Sequence, residues 1–582
     1  MREGDGGGTL DLLVRDVRAV SVLTGEAVPA DIAVARGRIV SLRPLGGGVE
    51  ARRVVDGGGR YALPGFVDAH MHIESSFLTP AAFAPAALAR GTTTVAADPH
   101  EIANVAGEAG VRAMLRASRG LPLSVFFLVP SCVPSVPGLE TSGGEIGAAE
   151  VARLLRHPRV LGLGEVMDYR GVVTGDARIA AILARARRAG RRVRVEGHAP
   201  HLVGEDLERF MAAGVVTDHT DNSDAAWLEK MRLGMFAELQ AKSIRPSLIA
   251  AMASLPLLPP FALVTDDVAT DTLVAEGHLD RVARLAVAAG LPPLAAVRAM
   301  TLWPALHLGL TDRGRLSPGL RADMVLCDDL ASLAPSLVVA GGQVVARDGR
   351  PTLPPRPAAP VWDAFRHSLR LAPGRRSFAP AEFAWRVPGP PGRRRMPAMA
   401  WRPTDNRTAA AEVVLDVGAD GEVHWPGHAS LVRVIERYSG REGSASAPLL
   451  GLSWQDAAVA TTYAHDSHNL LVVGSSPAAM AAAATAVLET GGGIAVARGE
   501  RVLARLPLPL AGIMSDAGAD AVAAAAAEVR RAMEAVGYRH ANPFMSVATL
   551  SLLVSLERKL SDRGLVDVDR RAFTPEPYGR PL

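Results

Sequence analysis

Between residues 64 and 312, short apolar runs alternate eight times with Ala-, Leu- and Arg-rich amphipathic segments. The runs end near His72, Pro99, Ser131, Val166, His198, His219, Leu239 and Asp266. Helical patterns over 148–156, 177–189 and 204–213 lie between them. Neighbouring parallel strands need a long crossover, usually a helix. Eight such units over roughly 250 residues are the sequence form of a (β/α)8 barrel. A doubly wound open sheet is the competing arrangement, and strand counting does not separate the two.

The flanks read differently. Residues 1–63 and 313–350 carry β-type runs broken by turn formers such as Thr24-Gly25 and Ala340-Gly341-Gly342. They predict one small β-sandwich assembled from both sides of the barrel. Residues 351–395 read as a linker, Pro-rich at 354–357 and 388–391, with Arg393-Arg394-Arg395 as solvated surface. Residues 396–582 predict a C-terminal α/β domain, with strands near 470–473 and 493–496 and a long surface helix over 517–536. The fold class is therefore α/β, a metal-dependent (β/α)8 barrel with two accessory units.

Composition narrows the partners. The chain has 63 basic and 60 acidic side chains and a net charge of +3, and lacks any basic-aromatic stripe, which argues against nucleic acid. Cys132 and Cys327 are the only cysteines, too few for a disulfide framework or a four-thiolate zinc site. The Ala-rich run at 478–488 is shorter than the ~20 residues that cross a bilayer. Residues 1–9 do not resemble a signal peptide. A cytoplasmic protein without membrane contact is expected.

His70 and His72 follow a strand-like run, and at i and i+2 both imidazoles face one side and can share a divalent ion. Glu165, His198, His219 and Asp266 each fall at the end of a later strand. In a barrel those ends converge on one mouth. Two hard cations held close together need a bridging anion. A carbamoylated Lys on strand four would serve, but no Lys precedes Lys230, and Glu165 stands in that place. A binuclear site bridged by Glu165 is expected, with a single-ion site as the alternative.

Pro64-Gly65-Phe66-Val67-Asp68-Ala69-His70-Met71-His72 resembles the opening signature of the amidohydrolase superfamily. Ile73-Glu74-Ser75-Ser76, Gly91-Thr92-Thr93-Thr94, Ala97-Asp98-Pro99-His100-Glu101 and Pro130-Ser131-Cys132-Val133-Pro134 narrow the resemblance to the adenine deaminase family. Glu140-Thr141-Ser142-Gly143, Gly197-His198-Ala199-Pro200 and Glu276-Gly277-His278 agree with it. His465-Asp466-Ser467-His468-Asn469 and Asn542-Pro543-Phe544-Met545 carry it through the C-terminal region. Two departures stand out. Thr220-Asp221 replaces the family's Glu-Cys after His219, adjoining an expected ligand, and Val554-Ser555-Leu556-Glu557-Arg558-Lys559 replaces Val-Ile-Pro-Glu-Leu-Lys.

The resemblance implies hydrolytic deamination of adenine to hypoxanthine and ammonia by a metal-activated water. Mn2+ or Fe2+ is favoured over Zn2+, and a homo-oligomer, a dimer, is implied. His70, His72, Glu165, His198, His219 and Asp266 are the expected ligands. Asp266 is also expected to shuttle the proton, and Asp98, His100 and Glu101 form a second polar cluster, with His100 and Glu101 given catalytic roles. Ser131, Cys132, His465, Asp466 and His468, with Asp98, are expected to line the substrate pocket. Deamination of a modified purine such as N6-methyladenine, hydrolysis of another cyclic amidine or amide, and a catalytically silent scaffold are the alternatives.

Overall fold

The computed structural model describes residues 9–45, 48–190, 193–404, 407–424, 429–575 and 577–581. The N-terminal flank supplies β1 (Leu12–Val20), β2 (Ala27–Ala35), β3 (Arg38–Arg43) and β4 (Val54–Pro64). Eight parallel strands follow. They are β5 (Phe66–Met71), β6 (Thr92–Ala97), β7 (Ser124–Val129), β8 (Val160–Val166), β9 (Arg194–Gly197), β10 (Thr217–Asp218), β11 (Phe236–Leu239) and β12 (Phe261–Leu263). They pair in chain order as a set of five and a set of three. The sets are joined where the Val216 N–H donates to the Val195 carbonyl at 3.1 Å. The ring closes where the Asp266 N–H donates to the His70 carbonyl at 3.2 Å.

This is the barrel, and its strands end within three residues of the expected positions. Along each strand the side chains alternate between faces. Ala96, Leu128, Ala262 and Val264 join Leu308 and Leu310 in an apolar plug. Two residues past Ala96 and Val264 stand Asp98 and Asp266, so the plug gives way to acids at the mouth.

Beyond the barrel, β13 (Met324–Cys327), β14 (Leu337–Ala340), β15 (Gln343–Arg347) and β16 (Arg350–Pro351) rejoin the first sheet. The order is β16-β15-β14-β13-β4-β1-β2-β3, with Val325 opposite Leu63. Both flanks thus form one continuous eight-stranded sheet. One face carries its own core of Leu12, Val14, Ile32, Met324 and Leu326, while Leu63, Val325 and Val338 pack into the barrel core.

The stretch expected as a linker is packed. Trp362 is 1% exposed, and Phe378, Phe383, Trp385 and Val387 belong to the C-terminal core. β17 (Gly392–Trp401) runs across the expected boundary at 395/396, and Arg394 is buried, donating to the carbonyls of Pro388 and Pro390. Proline density limits regular structure here to the short 3-10 turns Pro360–Phe365 and Pro380–Phe383 and the start of β17, but it does not prevent burial.

The C-terminal sheet adds β18 (Thr408–Val417), β19 (Val423–His424), β20 (Ala429–Ile435), β21 (Ser444–Leu450), β22 (Ala457–Thr461), β23 (Leu470–Gly474), β24 (Gly493–Arg498) and β25 (Arg501–Pro507). β22 and β23 are antiparallel neighbours, so the segment between them, which holds residues 465–469, projects from one end of the sheet. That end docks on the barrel mouth. Asn469 Nδ2 donates to the Thr141 carbonyl at 2.8 Å, and the Ser515 N–H donates to the Phe77 carbonyl at 2.8 Å. The helix Ala519–Ala535 buries a stripe of Val522, Ala526, Val529 and Met533. Among the described residues no helix is long and apolar enough to cross a membrane.

Candidate metal centre and active site

The six residues expected as ligands meet at the barrel mouth around Glu165. Its Oε1 lies 3.4 Å from His72 Nε2, and its Oε2 lies 2.5 Å from His198 Nδ1 and 3.2 Å from His219 Nε2. Asp266 Oδ1 lies 3.3 Å from His72 Nε2 and 3.8 Å from His70 Nε2. The rings of His70 and His219 stack with centroids 3.9 Å apart. All are buried except His198, whose side chain is 27% exposed and marks the open side. Asp266 takes a left-handed φ of 55°, a conformation costly for a non-glycine residue and concentrated at functional sites.

The electrostatics suit cation binding. Burial pushes the Glu165 carboxyl up, and the imidazoles of His219 and His198 more than reverse it, holding it well below the usual range. Burial, reinforced by His219 and His72, holds His70 well below its ordinary value. A neutral imidazole is the form that ligates metal. Burial also lowers His72 and His219, but the carboxylates Asp266 and Glu165 beside them more than reverse it and raise both. Neither nitrogen of the fully buried His70 has a hydrogen-bond partner, nor does Nδ1 of His219. Buried polar atoms are rarely left so. His70, His72 and Glu165, and separately Glu165, His198 and His219, each offer donor atoms within 4.8 Å of one another. Two overlapping His/carboxylate sets sharing Glu165 fit divalent ions.

Asp98, Ser131 and Cys132 differ from the pocket-lining role expected of them. Asp98 Oδ2 accepts the Glu165 N–H at 2.9 Å, and the Ser131 hydroxyl donates to the Glu165 carbonyl at 2.7 Å. Both grip the peptide of Glu165. Cys132 is 1% exposed against Ser131, and burial pushes its thiol up to about 11, which removes it as a nucleophile at neutral pH. A strand-end position showed that these residues lie at the mouth. It did not show that they turn toward a neighbouring strand.

A second cluster abuts the first. His100 Nδ1 lies 3.5 Å from Glu165 Oε1, and His100 Nε2 lies 3.4 Å from Glu101 Oε1 and 3.9 Å from Asp466 Oδ1. From the C-terminal domain, His465 Nε2 stands 3.2 Å from Glu101 Oε1, and His468 Nε2 stands 2.5 Å from Glu101 Oε2. Burial raises the Glu101 carboxyl, but His465, His100 and His468 together hold it well below the usual range.

Several participants were not singled out in the sequence. Tyr463 donates to Ser75 Oγ at 2.8 Å, and Ser75 donates to Asp267 at 2.5 Å. Lys242 Nζ lies 3.7 Å from Asp266 on the open side. Glu238 is fully buried on β11, and it shares a donor set with His70 and His219. A charged residue inside an apolar strand run was its available signal. Thr220 donates its hydroxyl to Asp218 at 2.9 Å, within a network completed by Lys230 and Asn222. Asp221 pairs with Arg245 and its side chain is 60% exposed. The departure after His219 therefore sits behind the ligand and on the surface.

Comparison with known proteins agrees with this geometry. Residues 61–350 match the amidohydrolase family, and residues 407–572 match the adenine deaminase C-terminal domain. An adenine deaminase of Moorella thermoacetica is 39% identical over 567 residues, covering 96% of this chain and 94% of that one. One of Paracoccus denitrificans is 40% identical over 570 residues, covering 96% and 94%. One of Nitratidesulfovibrio vulgaris strain Hildenborough is 40% identical over 575 residues, covering 97% and 96%. Amidohydrolases of this kind are metal-dependent, and with near-complete coverage at this identity the chain belongs to the adenine deaminase family.

Proposed function

We propose that this protein is an adenine deaminase that hydrolyses adenine to hypoxanthine and ammonia at a binuclear centre. The observation that carries the reading is Glu165, one carboxylate within 3.5 Å of four imidazoles drawn from four strand ends or their loops. His70, His72, His198, His219 and Asp266 would complete the ligand set, with Glu165 as the carboxylate common to both donor groups. The mixed His/carboxylate donors suit Mn2+ or Fe2+ as well as Zn2+, and we favour the first two.

Bound divalent ions would supply a water acidified toward pKa ~7. The rest falls to the protein's side chains. Asp266 accepts the proton released as the C6–O bond forms and returns it to the departing amine as the C6–N bond breaks. Glu101 and His100 act as a pair: His100 holds the proton that a ring nitrogen gains and gives up, and the ionised Glu101, 3.4 Å away, holds that imidazole in its charged form. Asp98 and Ser131 fix the Glu165 peptide so that its carboxylate does not move during the cycle. Thr220 and Asp221 give no support to a modified purine, because neither faces the centre. A cytoplasmic location and a homodimer complete the reading, the dimer resting on family resemblance.

The test is steady-state ammonia release from adenine, with N6-methyladenine, adenosine and cytosine in parallel and metal counted on the same sample. Turnover of adenine, lost in Glu165→Gln without unfolding, supports the reading. Fully metallated protein that ignores adenine and attacks another of the four overturns the substrate, and protein that binds no metal overturns the centre.

A further inference from the structure

His468 lies 367 residues from Glu101 in the chain, yet it makes the shortest contact that carboxylate has. Its environment fixes which nitrogen carries the proton. The Ala464 N–H donates to His468 Nδ1 at 3.2 Å, so Nδ1 is an acceptor and the proton of a neutral ring sits on Nε2. Burial holds this imidazole below its ordinary value, consistent with the neutral form. Nε2–H therefore donates to Glu101 Oε2 at 2.5 Å.

The backbone around the ring is held equally firmly. The His468 N–H donates to the Ala464 carbonyl at 2.7 Å, and the fully buried Arg437 donates to the His468 carbonyl. His468 itself takes a left-handed φ of 51°. A non-glycine residue held there is over-determined by its surroundings. Both nitrogens of His468 are engaged and its side chain is 0% exposed, so its role is confined to its neighbours. Glu101 Oε1 is equally buried but has no aligned hydrogen-bond partner, and it lies 3.2 Å from His465 Nε2 and 3.4 Å from His100 Nε2.

We infer that His468 is a positioning residue of the C-terminal domain that anchors one oxygen of Glu101 so that the other is held against His100, which abuts Glu165. This revises the pocket-lining role expected of His468, and it rests on the role given to Glu101 above. The barrel alone lacks this anchor, so the catalytic carboxylate is set by a hydrogen bond across the domain interface.

The experiment compares His468→Ala, His468→Gln, Glu101→Ala and the Ala/Ala double variant in the full-length metallated enzyme, with adenine as substrate. A Gln amide nitrogen stands close to where Nε2 stood and keeps the donor. His468→Ala is expected to lower kcat by about 10²-fold with little change in KM, on the scale of a misplaced acid–base group. His468→Gln restores most of that loss. The double variant is no slower than Glu101→Ala, because groups that act as a unit are not additive. Additive losses, a change confined to KM, or a Gln variant as slow as the Ala variant while folded and metallated overturns the proposal. If the wild-type enzyme does not deaminate adenine, the functional reading falls, and crystal structures decide the positioning role. Glu101 unmoved in His468→Ala overturns it, and a rotated carboxylate upholds it.

Discussion

Gly164 precedes Glu165, and the space where its side chain would stand belongs to Asp98. A Cβ at Gly164 would lie 2.5 Å from Asp98 Cγ and 2.8 Å from Oδ1. Non-bonded carbons settle at about 3.5 Å or more. Gly164→Ala therefore drives the Asp98 carboxylate back by about 1 Å. Asp98 Oδ2 holds the Glu165 N–H at 2.9 Å, so the retreat releases or drags the Glu165 peptide. Misplacing a catalytic group by 1 Å costs about 10²-fold in rate, or about 2.7 kcal/mol of barrier. The overpacking itself destabilises the fold by about 1–3 kcal/mol. The assay is kcat for ammonia release, with metal content and a guanidinium denaturation curve on the same sample. A folded variant with a full metal complement and an unchanged kcat refutes the idea that the Gly164–Asp98 junction sets Glu165. Lost metal with intact folding extends it, since the bridge then fails before the chemistry.

Three further outcomes follow from the same geometry. Glu165→Gln, which keeps the shape and removes the charge, is expected to bind less metal and to lose at least about 10²-fold in kcat; treatment of the wild type with a chelator should abolish turnover and added Mn2+ restore it. Lys230→Met leaves Asp218 buried without the ammonium that lies 2.7 Å away, so denaturation should show a loss of about 3–5 kcal/mol; an unchanged midpoint removes this pair from the fold's support. Burial pushes the Glu140 carboxyl from 4.5 up to about 7. A folded pKa above the unfolded one contributes stability that is present below pH 4.5 and lost as pH rises through 7. Glu140→Gln does not titrate, so its stability relative to the wild type should improve by up to about 3 kcal/mol between those values, and a pH-independent gap refutes the assignment.

The metal-type residues were legible because each stands at the end of an apolar run, and a barrel leaves strand ends one place to go. His70, His72, Glu165, His198, His219 and Asp266 needed only that rule. Asp98 and Ser131 shared the position but not the direction, since a residue at the mouth can face the cavity or the peptide of the next strand. Residues 351–395 failed for another reason. Proline density reports the lack of regular hydrogen bonding, whereas Trp362, Phe383 and Trp385 report burial, and the two are independent. Glu238 carried only the signal of a charge inside an apolar strand run, and Lys242 carried none, so the folded chain is what places Lys242 beside the centre.

Glu101 shows why the C-terminal domain cannot be treated as an appendage. It is a fully buried carboxylate held in its ionised form, which is costly unless cations or donors compensate. The barrel contributes His100, together with the first turn of the helix His100–Ala117, where a negative charge is favoured by the helix dipole. The remaining compensation comes from His465 and His468, on the segment between β22 and β23. Separated from that segment, the barrel would leave Glu101 either protonated or turned toward water, and in neither state does it stand as an ionised group against His100. The six side chains proposed to hold metal all belong to the barrel, whereas the compensation of the buried Glu101 depends on both domains being docked.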